Sequence, residues 1–445
     1  MWWQNVIISV RVCLEKSTIP SHSILAIGIT YQMHGLVVVD KSHQSLRPAI
    51  IWCDSRAVEI GGKALKRLGE TFCLEHFLNF PGNFTASKLR WVKENEHELY
   101  GRIHKVMLPG DFIALKMTGE SLTTEAGLSE GILWDFQKNS LATDLLREFE
   151  IDDRLLPAVV KVFSVQGKLT QPAAEKLGLK PGTRISYRAG DQPNNALSVN
   201  VLEPGETAAT AGTSGVIYSV TEKPIYDYYS RVNTFIHVNN ETEKKRNGVL
   251  LCVNGAGILN SWLRNNVMGM AGTLAYDHMN VLATKVPVGA EGISLLPFGN
   301  GAERILGNRS PGSIIHGLEY NRHTQAHLFR AAQEGIVFAM MYGFEILKEI
   351  GVNSRVIKSG HSNMFLSPLF REAFANTTRL PLELYDTDGA KGAARGAGIG
   401  AGIYGSFGEA FHGLQLIELI RPDPSLEEQY MNSYQRWKKV LTNCV

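Results

Sequence analysis

Apolar and polar positions along the chain follow two rhythms. Short runs rich in β-branched residues read as buried strands, and longer stretches with apolar residues three and four apart read as helices. Ile24–Ile29 and Leu36–Val39 are two such strand runs, joined by the polar segment Thr30–Gly35, and Ala49–Trp52 is a third. Ile60, Ala64 and Leu68 then share a helical face that Asp54 or Ser55 can cap and Gly69 ends. Ser87–Asn95 and Asp111–Met117 read as short helices, the second stopped by Gly119. A second series follows. Arg184–Ala189 is a strand running into Gly190-Asp191, and Thr207–Thr210 and Val216–Val220 are strands around a glycine-rich turn. Val249–Val253 and Ile293–Leu296 are further strands, and Thr324–Ile350 carries a long helical pattern that stops at Gly351. Arg355–Lys358 is a strand, followed by a helix with Leu366, Phe370 and Phe374 on one face. Strands joined both by tight turns and by crossover helices imply an α/β chain with mixed sheets. The pattern changes character near Val201–Gly205, which sets a domain boundary there.

Composition narrows the class. The 445 residues suggest two domains. A net charge of +2 gives no field for nucleic acid or an anionic membrane. The longest stretch without Asp, Glu, Lys or Arg, Ser17–Val39, carries Pro20, two glycines and several polar groups, so no membrane span is expected. The opening MWWQNVIISVR lacks the basic start of a secretory signal. The cysteines Cys13, Cys53, Cys73, Cys252 and Cys444 are scattered and odd in number, which points to reduced thiols in a cytoplasm.

Four segments carry candidate chemistry. Asp191 follows a strand and a glycine, where α/β sheets present ligands. It can take a proton from a substrate hydroxyl with Gln192 orienting it, or it can cap a turn through its own backbone. Gly212-Thr213-Ser214-Gly215 lets successive amides converge on an anion, or is an ordinary hairpin turn. Ser359-Gly360-His361-Ser362-Asn363 opens a helix, which suits a phosphate or a plain N-cap. Tyr31-Gln32-Met33-His34-Gly35 is a donor-rich turn able to read the hydroxyls of a polar small molecule, although a lone His is more often structural. Gly400–Gly405 matches a dinucleotide pattern, but no strand precedes it; Ala390–Ala401 reads instead as a small-residue helix made for close packing. No Walker loop, nucleophile elbow or protein-kinase signature is present.

These four segments, in this order, resemble the FGGY carbohydrate kinases over essentially the whole chain. The resemblance also rests on Arg47–Arg56, Phe84–Val92, Val106–Asp111 and Ser313–Glu334. Gln32-Met33-His34-Gly35 is similar to members that act on xylulose. The resemblance implies two actin- and hexokinase-like domains of ribonuclease-H-like topology around a hinged cleft, residues 1–202 binding sugar and 203–445 binding ATP. It implies Asp191 as general base, with Met33, His34, Gln192 and Trp52 at the sugar. Gly212, Thr213, Ser214, Gly255, Gly360 and Asn363 would lie at the nucleotide. ATP and Mg2+ would be the cofactors, with no residue assigned to the metal. A small-molecule sugar is the partner, and a homodimer stays open.

Two departures from the family pattern shape the expectation. Members open with a strand and an Asp-x-Gly-Thr loop that helps hold Mg2+, and nothing here matches it. The first domain is therefore expected to lack its first strands, to leave a sheet edge unpaired and to be impaired in catalysis. In addition, Ser359-Gly360-His361 stands where the family has a triple-glycine loop. The competing readings are a kinase for another ketose or polyol, and a catalytically impaired sugar- or nucleotide-binding fragment.

Overall fold

The structure is a computed structural model describing residues 1–269 and 274–444. Its largest sheet has seven strands, all from Glu206 onward. From edge to edge these are Asn233–Ile236, Asn247–Val253, Gly215–Thr221, Glu206–Ala211, Val356–Gly360, Leu382–Tyr385 and Leu416–Ile420. The first four run antiparallel to their neighbours. Val356–Gly360 then lies parallel to both Glu206–Ala211 and Leu382–Tyr385, and Leu416–Ile420 closes the far edge antiparallel. The sheet is thus mixed, as the patterning predicts. The helix Gln325–Glu349 packs across it and is buried nearly all round, which its mostly apolar middle turns require.

The first half is built from smaller ladders. Ala26–Tyr31 pairs in parallel with Arg184–Gly190, and Val37–Val39 pairs antiparallel with Lys105–Met107. The two apolar runs flanking Thr30–Gly35 therefore form strands, but each takes a different partner. The intervening segment makes no tight hairpin; it bends with His34 at φ 61 and Gly35 packed on the Pro109 ring. Ala49–Trp52 is not a strand either. Only Ile50 bridges, exchanging backbone hydrogen bonds with Leu36 at 2.9 and 3.0 Å, before the chain turns away at Trp52. Leu366 also departs from expectation. It lies in a 3-10 turn before the helix Pro368–Thr378 and is exposed, while Phe370 and Phe374 are fully buried.

Two helices cross between the halves. Asp191–Ser198 follows the first-half strand and packs against Glu206–Ala211 and Gly215–Thr221. Gly389–Gly400, the small-residue helix, packs back onto Ala26–Tyr31 and Arg184–Gly190. Small residues are needed at this crossing. A Cβ on Gly28 would meet the Ala393 carbonyl oxygen at 2.0 Å, and one on Gly400 would meet that of Ser186 at 1.8 Å. One apolar core accordingly draws Tyr187, Ala189 and Leu197 together with Ala393, Ala397 and Phe411.

Among the described residues no helix is long and apolar enough to cross a membrane. All five cysteines are unbonded.

Candidate functional site

Asp191 is the first residue of its helix, placed there by the strand Arg184–Gly190. The helix N-terminus favours a carboxylate. Burial nonetheless pushes the Asp191 carboxyl up, and the amides of Gln192 and Asp191 itself offset this in part. Gln192 donates its side-chain N–H to Asp191 Oδ2 at 3.2 Å, so the two residues form one polar pair.

Met33 packs against the strand end, its Cγ 2.5 Å from where a Gly190 Cβ would stand. His34 is held from three sides. Its Nδ1 lies 2.8 Å from the Glu130 carbonyl, which can only accept, so Nδ1 carries the proton and Nε2 is left as an acceptor. The edge of its ring meets Phe84 at 4.8 Å. Lys88, fully buried, donates to the His34 carbonyl at 2.9 Å and the Ile51 carbonyl at 3.0 Å, tying the turn to the following segment. Burial lowers that ammonium to about 8. Trp52 lies further out: it is 56% exposed, and its backbone N–H reaches Gln32 Oε1 at 3.4 Å.

On the other side, Gly212, Thr213 and Ser214 form the turn between Glu206–Ala211 and Gly215–Thr221. The Gly212 carbonyl accepts from Gly257 N–H at 2.7 Å, and Ser214 donates to Asn254 at 3.0 Å. Gly255 is required where it stands. Its φ is 101, and a Cβ would strike the Pro297 carbonyl oxygen at 1.7 Å. Asn363 brings its side-chain nitrogen over Gly212, 3.8 Å from a Cβ built there, and Gly360 lies tight against Thr387. The Gly255–Gly257 and Gly360–Asn363 segments thus both approach the glycine turn.

Cys252 lies within electrostatic reach of Asp191. Its thiol is pushed up to about 12, by burial first and then by the carboxylates of Glu303 and Asp191. Cys252 pairs with Val216, the residue just after the glycine turn. The helix that Asp191 opens packs on both strands that flank this turn.

Three groups near these residues escape the sequence reading. Lys88 shows only as part of a helical pattern. Glu130 ends the short helix Glu125–Glu130 and touches both His34 and Gly190. Arg304 comes from the second half, stacks over Phe84 at 5.5 Å and donates to Ser230 at 3.1 Å.

His34 is held down to about 3 and His237 to about 4, both chiefly by burial. His237 lies between the Tyr218 hydroxyl and the Val201 carbonyl. Each ring takes a proton near pH 6.5 when unfolded but not when folded. Their stabilising contribution is therefore full above about 6.5 and is lost as pH falls toward 3 to 4. Imidazole NMR resonances of both are expected to stay at their neutral positions from about pH 8 to about pH 5, whereas an unperturbed histidine titrates in that range. Titration of either ring near 6.5 would show that it is not sequestered as described.

Comparison with known proteins decides the family. Residues 1–198 match the N-terminal domain, and residues 207–403 the C-terminal domain, of the FGGY family of carbohydrate kinases. The chain belongs to the FGGY family of carbohydrate kinases. This FGGY kinase is 27% identical to the xylulose kinase of Bacillus subtilis, the match covering 99% of this chain and 87% of that one. It is 28% identical to the L-xylulose/3-keto-L-gulonate kinase of Escherichia coli, with the same shares covered. The solved xylulose kinase of Rhodospirillum rubrum superposes with a TM-score of 0.88 at 24% identity, covering 99% of this chain and 89% of that one, and shares its two-domain fold. The chain is accordingly a carbohydrate kinase with mixed sheets and flanking helices, as the patterning and the resemblance imply.

Proposed function

We propose that this FGGY kinase transfers the terminal phosphoryl of ATP to the terminal hydroxyl of D-xylulose, in the cytoplasm, with residues 1–202 holding the sugar and 203–445 the nucleotide. The observation that carries this reading is the position of Asp191: a buried carboxyl at a strand end, opening a helix that packs on the strands flanking the Gly212–Ser214 turn. A sugar hydroxyl does not ionise near neutral pH, so its proton must leave as the bond to phosphorus forms. Asp191 accepts it, and its raised affinity for protons makes it a better base than an exposed carboxylate. Met33, His34 Nε2, Gln192 and Trp52 line the ketose side. The amides of Gly212, Thr213 and Ser214 face the phosphates, with Gly255, Gly360 and Asn363 around the rest of the nucleotide.

Mg2+ fits this arrangement in a limited way. No cluster of three metal-binding side chains occurs among the described residues. A nucleotide-borne Mg2+ would need only one or two protein carboxylates, and Asp191 and Glu303, both within electrostatic reach of Cys252, would supply them. When bound it neutralises charge on the transferring phosphoryl.

A second reading, phosphorylation of a related ketose, is favoured by the similarity to the kinase named for L-xylulose and 3-keto-L-gulonate. A coupled ADP-release assay over a panel of pentuloses, hexuloses and polyols separates the two. The first reading expects the highest kcat/KM with D-xylulose. A higher value with another sugar moves the assignment to that sugar. Binding of xylulose and ATP by calorimetry without any ADP release would leave a binding protein instead.

A further inference from the structure

Glu130 faces two parts of the candidate site at once. Its carbonyl takes the His34 ring N–H at 2.8 Å. Its carboxyl fills the space that Gly190 leaves open: a Cβ on that glycine would meet Glu130 Oε2 and Met33 Cγ, each at 2.5 Å. The group is thus wedged between Met33 and the residue just before Asp191, and is 2% exposed. Glu130 Oε1 has no hydrogen-bond partner among the described residues. Buried polar atoms left in this way are rare and costly in native proteins, and one that borders a substrate pocket has an obvious candidate partner in the substrate.

We propose that Glu130 is a specificity-determining residue of the sugar pocket, its unpartnered carboxyl oxygen meeting a hydroxyl of the bound ketose beside Asp191. The assignment rests on the ketose-kinase reading above. The groups facing this carboxyl are Asp191 and Asp111, the Tyr31 phenol, which hydrogen-bonds it, and the His34 backbone N–H, which also donates to it; Arg188 stands behind Asp111, paired to it. Burial, reinforced by the two aspartates, holds the Glu130 proton well above the usual carboxylate range. The geometry, not the charge state, carries the assignment: the unmet oxygen lies beside the strand end that presents Asp191, where it can hydrogen-bond a neighbouring hydroxyl of the same sugar. A ketose lacking that hydroxyl leaves the oxygen buried and unmet, which is how a site of this kind rejects analogues.

The test compares wild type, Glu130→Ala and Glu130→Gln in the full chain. Affinity for D-xylulose and for its monodeoxy analogues is read by calorimetry, and kcat and KM by the coupled assay. Glu130→Ala is expected to weaken xylulose binding about 10-fold or more, the effect of losing one buried hydrogen bond. Glu130→Gln, which keeps the shape and an accepting oxygen, should stay within about threefold of wild type. One deoxy analogue should bind wild type more weakly by a similar factor and show no further loss in Glu130→Ala. A purely structural role would instead weaken every analogue alike. Equal losses for all analogues, or wild-type affinity in Glu130→Ala, overturn the assignment while the kinase reading stands. Failure of the wild-type chain to bind any ketose overturns both.

Discussion

Asp191→Asn is expected to abolish phosphoryl transfer while leaving sugar binding largely in place. The substitution keeps the size and polarity of the side chain but removes its capacity to take a proton. A positioned general base contributes about 10²–10⁴ in rate, and a fall in kcat of that order with little change in sugar affinity is the expected signature. Asp191→Ala should lose as much. The same variants should be no less stable than wild type at neutral pH. Burial raises the Asp191 pKa on folding, so its ionised form costs stability above the carboxylate range, and that cost disappears as pH falls and the group protonates. Melting temperatures across pH therefore accompany the kinetics. Retention of most activity in Asp191→Asn would remove this carboxyl from the chemistry.

Asp111→Ala should be among the most damaging substitutions to stability, although Asp111 touches no substrate. Arg188 Nη1 meets Asp111 Oδ1 at 3.0 Å, with exposures of 1% and 2%. The guanidinium also donates to Gln166 at 2.7 Å and to the Leu122 carbonyl at 2.8 Å. Burial pushes the Asp111 carboxyl up even beside this cation. Removing one partner leaves a buried uncompensated charge, which costs about 3–5 kcal/mol. Replacing both by apolar residues of similar volume, as in Asp111→Leu with Arg188→Met, should cost much less, because no lone charge remains. Denaturant unfolding of the two single variants and the double variant gives the coupling directly. Additive losses would mean that the pair is not the cause. Arg188 lies on the strand that leads into Asp191, three residues before it, so the loosened strand should also lower kcat.

The sequence made the strand ends and the glycine turns readable because their signals are local. A carboxylate after Arg184–Ala189 and a turn of small residues between two β-branched runs need no partner to be recognised. Pairing is different. Thr30–Gly35 looks like a hairpin connection, yet its flanking strands find Arg184–Gly190 and Lys105–Met107, more than sixty residues away. Glu130 escaped for a related reason. It ends a six-residue helix with no periodic signature, and only the fold sets it against Gly190 and His34. Arg304 reaches Phe84 from the opposite half of the chain, a relation no spacing records. The Gly389–Gly400 stretch was legible as a close-packing helix, but its target, Gly28 on the first strand, was not.

That last feature has a mechanical consequence. Each half lends a helix to its neighbour, so the molecule is clasped like folded arms, and an apolar core with residues from both sides holds the clasp. Separating the halves would strip Tyr187 and Ala397 of their shelter, so a fragment cut at the junction would carry a raw greasy scar where the borrowed helix had been.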